Sequence, residues 1–277
     1  MTHSTCDLSD RSPAVAGMFY PGDPGGIERS LDSWSGEAAV ERQAWRAALV
    51  PHAGWPYSGR VAAAVLSRIQ MPSSIVLLCP KHRPGGVECA IAPWKRWLFP
   101  GGSMETDVAL SQQLADTVPG LELDDQPHRH EHAIEVQLPM LARFAPNSKI
   151  VGITIGRIGW AQCEATASGV AEVLRDRLDD VLLVISSDLN HFANDAENRR
   201  LDELAMRALD QLDPRALHET CRRNQITMCG VLPSVIVLLA LNRLNALQRA
   251  VRVDYTTSAE ASGDTSRVVG YAGMLFG

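Results

Sequence analysis

At 277 residues, with 45% hydrophobic and 21% charged residues, the chain is long enough to bury a core without disulfide or metal staples. A net charge of -6 excludes a broad basic face for nucleic acid. Six cysteines (Cys6, Cys79, Cys89, Cys163, Cys221 and Cys229) show no CxxC pair, which fits a reducing cytoplasm better than a secreted framework.

In chain order, the polar start "MTHSTCDLSDRSP" lacks the basic-then-apolar order of a signal peptide, and His3 reads as a surface residue. Short Pro/Gly clusters at "YPGDPGG", "KHRPGG" and "FPGGS" read as loops, with no linker between domains, so residues 1–277 are expected to form one domain. Strand-length apolar runs fall at 47–50, 74–79, 150–155, 181–186 and 250–255, and "RVVGYAGMLF" near the end is a sixth. Continuous rather than alternating apolar residues predict strands buried on both faces.

Helical patterns lie between the strands, at 59–69, 106–117, 132–144, 160–177, 195–211 and 230–247. The run "GVLPSVIVLLAL" is too short for a membrane span, which needs roughly 18 residues. It reads as a buried helix whose Pro233 must sit in the first turn, so that the helix starts near Cys229. Alternating elements predict an α/β sandwich: a central, largely parallel or mixed sheet flanked by helices.

Three buried runs end alike. "AALV" runs into Pro51-His52, "IVLLC" into Pro80-Lys81-His82, and "VLLVIS" into Ser187-Asp188-Leu189-Asn190-His191. Carboxyl ends of parallel strands share one edge, where α/β proteins bind ligands. If the three are neighbours, His52, His82, Asp188 and His191 converge there; the plainer reading of any one is a satisfied polar residue at a strand end. In "PHRHEHAIEVQLPML", His128 and His132 are four apart, as are Glu131 and Glu135. His128 and His130 read as exposed residues of a charged helix start, whereas His132 and Glu135 are candidates for the interior. Cys229 in "TMCG" is either a small buried hydrophobe or a thiol whose ionised form a helix start favours. Ser186 or Ser187 with His191 imitates a hydrolase pair without a G-x-S-x-G elbow.

The segments "AGMFYPGDP", "VPHAGWPYSG", "LLCPKH", "EHAIEVQLPML", "SSDLNHF", "TMCG" and "DTSRVVGYAG" together resemble the Memo family, in order and over nearly the whole chain. The resemblance implies a fold similar to class III extradiol dioxygenases and a metal site on His52, His82 and Cys229. Asp188, His191 and His132 would stand beside it as orienting or proton-moving groups. It further implies a divalent metal, Fe(II) first with copper or zinc as rivals, and redox or oxygen-dependent chemistry on a small molecule. AMMECR1-like and radical-SAM proteins are the implied partners. The alternative is a non-catalytic module that holds a small molecule or peptide in a vestigial cleft, with Lys81 and Arg83 as an anion-holding pair. Family members commonly carry Gly-Pro-Ser-His-His where this chain has Cys79-Pro80-Lys81-His82-Arg83, so Lys81 and Arg83 replace a serine and a second histidine.

Overall fold

A computed structural model describes residues 9–34 and 41–277; His3 and Cys6 lie outside them. The first half of the chain contains strands β1 (Asp10–Arg11), β2 (Ala47–Val50), β3 (Ser74–Pro80), β4 (Cys89–Ile91), β5 (Arg96–Phe99), β6 (Gly102–Glu105) and β7 (Leu121–Leu123). Helices α1 (Pro24–Trp34), α2 (Trp55–Leu66), α3 (Val108–Thr117) and α4 (Leu138–Phe144) lie among or just after them. The second half adds β8 (Lys149–Ile155), β9 (Val181–Ser186), β10 (His191–Ala193), β11 (Ala250–Thr257) and β12 (Val268–Phe276). Its helices are α5 (Trp160–Leu174), α6 (Asp195–Asp210), α7 (Pro214–Arg223), α8 (Val231–Arg243) and α9 (Ala259–Ser262).

Nine strands form one mixed sheet in the order β10-β12-β2-β9-β3-β8-β4-β7, with β11 beside β12. At its centre β2, β9, β3 and β8 run parallel, while β12 and β4 flank them antiparallel. The expected α/β sandwich is therefore present. Neighbouring side chains of the central strands enter opposite cores. Leu49, Val76, Leu78, Leu183 and Ile185 face the core covered by α3, α5, α6, α7 and α8. Val50, Ile75, Leu77, Leu182 and Val184 face the one covered by α1, α2 and α4. Burial on both faces is why these strands read as unbroken apolar runs. β1, β5 and β6 form a separate small sheet that places Trp97 and Met104 in the second core.

The helix expected over 132–144 is split. Residues 135–137 make a 3-10 turn, and α4 begins at Leu138 with Pro139 in its first turn, where a missing N–H costs nothing. His132 therefore lies in irregular backbone just before the 3-10 turn, and His128 and His132 do not share a helix face. Three helices, α1, α7 and the four-residue α9, escaped the periodicity reading. α7 carries an Asp213 cap that accepts from Arg215 N and Ala216 N, followed by Pro214 in the first turn. α8 begins just past Gly230, close to where Pro233 required. Among the described residues, no helix is long and apolar enough to cross a membrane.

Candidate metal centre

Because β2, β9 and β3 are consecutive parallel neighbours, their exits carry His52, Asp188 and His82 to one edge, as the strand endings predicted. One ring nitrogen each of His52, His82 and His132 lies within 4.8 Å of the others, the spacing of a metal-ligand set. Ring centroids are 5.1 Å apart for His52–His82, 5.3 Å for His52–His132 and 4.7 Å for His82–His132.

Hydrogen bonds fix the tautomers. The Ser186 hydroxyl donates its single proton to Ala133 O (2.7 Å), so at 2.9 Å from His52 Nδ1 it can only accept. His52 thus carries its proton on Nδ1 and keeps a lone pair on Nε2. Glu131 Oε1 stands 2.8 Å from His82 Nδ1, and an ionised carboxylate only accepts, which leaves the Nε2 lone pair of His82 free as well. Burial, reinforced by the charge of His82, depresses the His52 pKa to about 3. Burial, with His52 next, depresses that of His132 to about 4. Both rings are consequently neutral at neutral pH, the form that binds metal.

Glu131 is the hub of the site. It is 1% exposed and also accepts from the backbone N–H groups of His82 (2.8 Å), His132 (3.0 Å) and Ala133 (3.1 Å). Burial alone would raise its pKa; the hydrogen bond and charge of His82, with that of His132, outweigh burial and hold it at about 2. Glu135, the carboxylate read as the candidate, instead anchors the N-terminal arm. It takes Arg11 Nη1 (2.7 Å), Ala14 N (2.8 Å), Val15 N (2.9 Å) and the Tyr20 hydroxyl (3.0 Å). The arm in turn lays Phe19 against His132, with ring centroids 4.6 Å apart.

Cys229 is outside the three-histidine group, yet its Sγ lies 3.3 Å from His52 Nε2. Asp188 N donates to that sulfur (3.2 Å), and Ser187 Oγ lies 3.7 Å away. Burial, then the Asp188 charge, pushes the thiol pKa well up, so in the metal-free protein the helix start does not ionise it as its position suggested. Gly230 is required beside it, since a Cβ there would fall 2.3 Å from Ser187 Cβ. Asp188 accepts from His52 N (2.8 Å) and Ala53 N (3.3 Å), which fixes the backbone that delivers His52; burial raises its pKa.

His191, on β10, donates from Nδ1 to Thr227 O (3.1 Å), leaving Nε2 free. Behind it, Asn190 accepts from Thr227 N (3.0 Å) and donates to Asn198 (2.8 Å). Buried Asp202 accepts from Asn190 N (2.7 Å), Asn198 (2.9 Å) and Tyr255 (2.7 Å), so α6 braces the loops that carry Asp188 and Cys229. Neither brace was read from the sequence; both residues lie in ordinary helical or loop composition.

Other expectations change. His128 is fully buried and hydrogen-bonds Ala90 O (3.1 Å), so it is a core residue rather than an exposed one. His130 is exposed, as expected. Ser186 and Ser187 are completely buried, with their hydroxyl protons given to backbone carbonyls, which removes the hydrolase pair. His218, which as a lone histidine would read as a surface residue, packs half-buried against Trp160 with the rings tilted by 56° and centroids 5.4 Å apart.

An α/β sandwich with a histidine cluster at the carboxyl edge of its parallel strands defines a candidate metalloprotein. Residues 11–275 match the family described as "Memo-like protein", and the chain belongs to the Memo family. It is 37% identical over 267 residues to a MEMO1 family protein of Aquifex aeolicus, covering 96% of this chain and 98% of the relative. A MEMO1 family protein of Archaeoglobus fulgidus is 35% identical over 270 residues, 96% and 99% of the two chains. The solved structure of the uncharacterized protein JW3007 from Escherichia coli K12 matches with a TM-score of 0.55 at 14% identity, covering 82% of this chain and 98% of that one; the likeness is one of fold.

Proposed function

We propose that the chain holds a divalent transition metal, Fe(II) first and copper or zinc as rivals, and uses it for redox or oxygen-dependent chemistry on a small molecule. The observation that carries this reading is the cluster of His52, His82 and His132, two of them with a lone pair turned away from a fixed Nδ1–H. His52 and His82 are ligands in every version of the site. His132 supplies the third imidazole, and Cys229 a soft fourth donor; such a nitrogen and sulfur set suits iron, copper or zinc better than calcium or magnesium. A redox-active ion held there would supply the electron transfer that none of these side chains offers alone. Asp188 holds the backbone of His52, and His191, with Nε2 free, moves a proton at the open side.

Elemental analysis of anaerobically purified protein, wild type beside His52→Ala and Cys229→Ala, tests the reading. Near-stoichiometric iron or copper, lost in His52→Ala and weakened in Cys229→Ala, supports it. No metal, even after reconstitution, overturns it and leaves the cleft as a binding module. A second reading rests on the 3.3 Å approach of Cys229 Sγ to His52 Nε2, the geometry of a thiol and its base. Activity that is lost stoichiometrically on alkylation and is indifferent to chelators would select it.

A further inference from the structure

Beside the candidate centre lies an open cavity of about 460 Å³, lined by Lys81, His82, Arg83, Glu88 and Arg157 among others. Its one carboxylate is already satisfied. Glu88 accepts from Arg157 N (2.6 Å) and from Lys81 Nζ (3.4 Å). Gly156 makes this fit possible, because a Cβ there would fall 2.0 Å from Glu88 Oε2. Lys81 is equally committed: its ammonium also donates to Gly86 O (3.2 Å) and Val87 O (3.0 Å), and its side chain is 6% exposed. Lysine thus staples the loop after β3, in which Gly85 and Gly86 hold φ of 98° and 66°, and is not the anion-binding partner of Arg83.

Neither of the cavity's two guanidinium groups hydrogen-bonds a carboxylate, although the charge of Arg157 also acts on Glu88. Arg83 uses only Nε, on His130 O (3.3 Å), and among the described residues Arg157 bonds Glu88 through its backbone N–H while its guanidinium makes no hydrogen bond or ion pair. Arg129, which shares a neighbouring cavity with Arg83, differs: it pairs with Asp125. In a chain of net charge -6, two exposed, unpaired arginines on either side of a cavity that His82 also lines make a local positive site. Planar guanidinium forks match carboxylate and phosphate oxygens.

We infer that Arg83 and Arg157 bind an anionic group, carboxylate or phosphate, of a small molecule whose remainder lies against His82. The placement of that remainder against His82 rests on the metal reading above, and the anion site stands without it.

The experiment is isothermal titration of metal-free protein with inorganic phosphate and, separately, malonate, at low and at physiological salt. Wild type, Arg83→Ala, Arg157→Ala and the double variant are compared, with Arg222→Ala on α7 as a control for net charge. The expected result is saturable binding that weakens about tenfold in each single variant and vanishes in the double, with Arg222→Ala unchanged. Binding of phosphate alone supports the site and assigns phosphoesters; binding of malonate alone supports it and assigns carboxylic acids. Equal titrations of wild type and double variant, or equal weakening in Arg222→Ala, overturn the inference. A protein that binds anions through these arginines but takes up no metal on reconstitution keeps this inference and sinks the proposed metal function.

Discussion

The Sγ of Cys229 lies 3.3 Å from His52 Nε2, although 177 residues separate them. This contact sets a soft donor against one member of a cluster that otherwise consists of imidazoles.

It leads to a graded prediction. His52→Ala and His82→Ala are expected to reduce metal content to below about a tenth of wild type, since each removes a ligand. Cys229→Ser and His132→Ala are expected to retain metal with weaker affinity. In the Co(II)-substituted protein, Cys229→Ser should in addition abolish any sulfur-to-metal charge-transfer band. A band that persists in Cys229→Ser would remove the cysteine from the ligand set.

Glu131 orients His82 without standing in the cluster. Glu131→Gln keeps the shape, but places an amide where four N–H groups now find a carboxylate. Metal affinity measured by chelator competition should fall about 10- to 100-fold. An unchanged affinity would mean that His82 needs no fixed tautomer.

Arg11 and Glu135 form an ion pair with side chains 2% and 0% exposed. Arg11→Met leaves a buried carboxylate without its counter-ion and should cost about 3–5 kcal/mol, lowering Tm by about 10 °C. Thermal melts of the metal-free protein check this, and a loss below 1 kcal/mol would show the arm to be dispensable for stability.

How far the sequence disclosed this site depends on where each partner lies. His52, His82 and Asp188 were legible because each follows an apolar run, and parallel neighbours bring strand ends to one edge. Cys229 was placed only by the family resemblance, since no local pattern links it to β2. Glu131 was hidden inside "HRHEHAIE", where a charged run reads as a solvated helix start. Its burial depends on Arg11, which donates to Glu131 O (2.8 Å) from 120 residues away. Strands β5 and β6 were missed because each is four residues long, belongs to a separate three-stranded sheet and buries few of its side chains.

His128 supplies a pH dependence. Burial depresses its pKa to about 4, against 6.5 for the free side chain, and its Nδ1 has no hydrogen-bond partner, so an added proton would be stranded. Below pH 6.5 the unfolded chain takes up this proton and the folded one does not, so stability falls as pH drops from 6.5 towards 4. The loss approaches about 3 kcal/mol for this residue. His128→Gln, which can still donate to Ala90 O, should flatten the curve of stability against pH by about one proton. Denaturant titrations of metal-free protein between pH 4 and 7 measure it, and parallel curves for wild type and variant would refute it.

The pairing of β2 with β9 on one side and β12 on the other has a consequence for synthesis on the ribosome. The strand that delivers His52 emerges early, but both of its hydrogen-bonded neighbours come from the second half of the chain, and β12 ends one residue before the last. A nascent chain can bring Glu131 to His82, 49 residues away, well before it can enclose His52. The sheet around the cluster therefore closes only once β12 has emerged, and a chain stalled before it would already carry every proposed ligand yet leave the β2 edge that β12 covers unpaired.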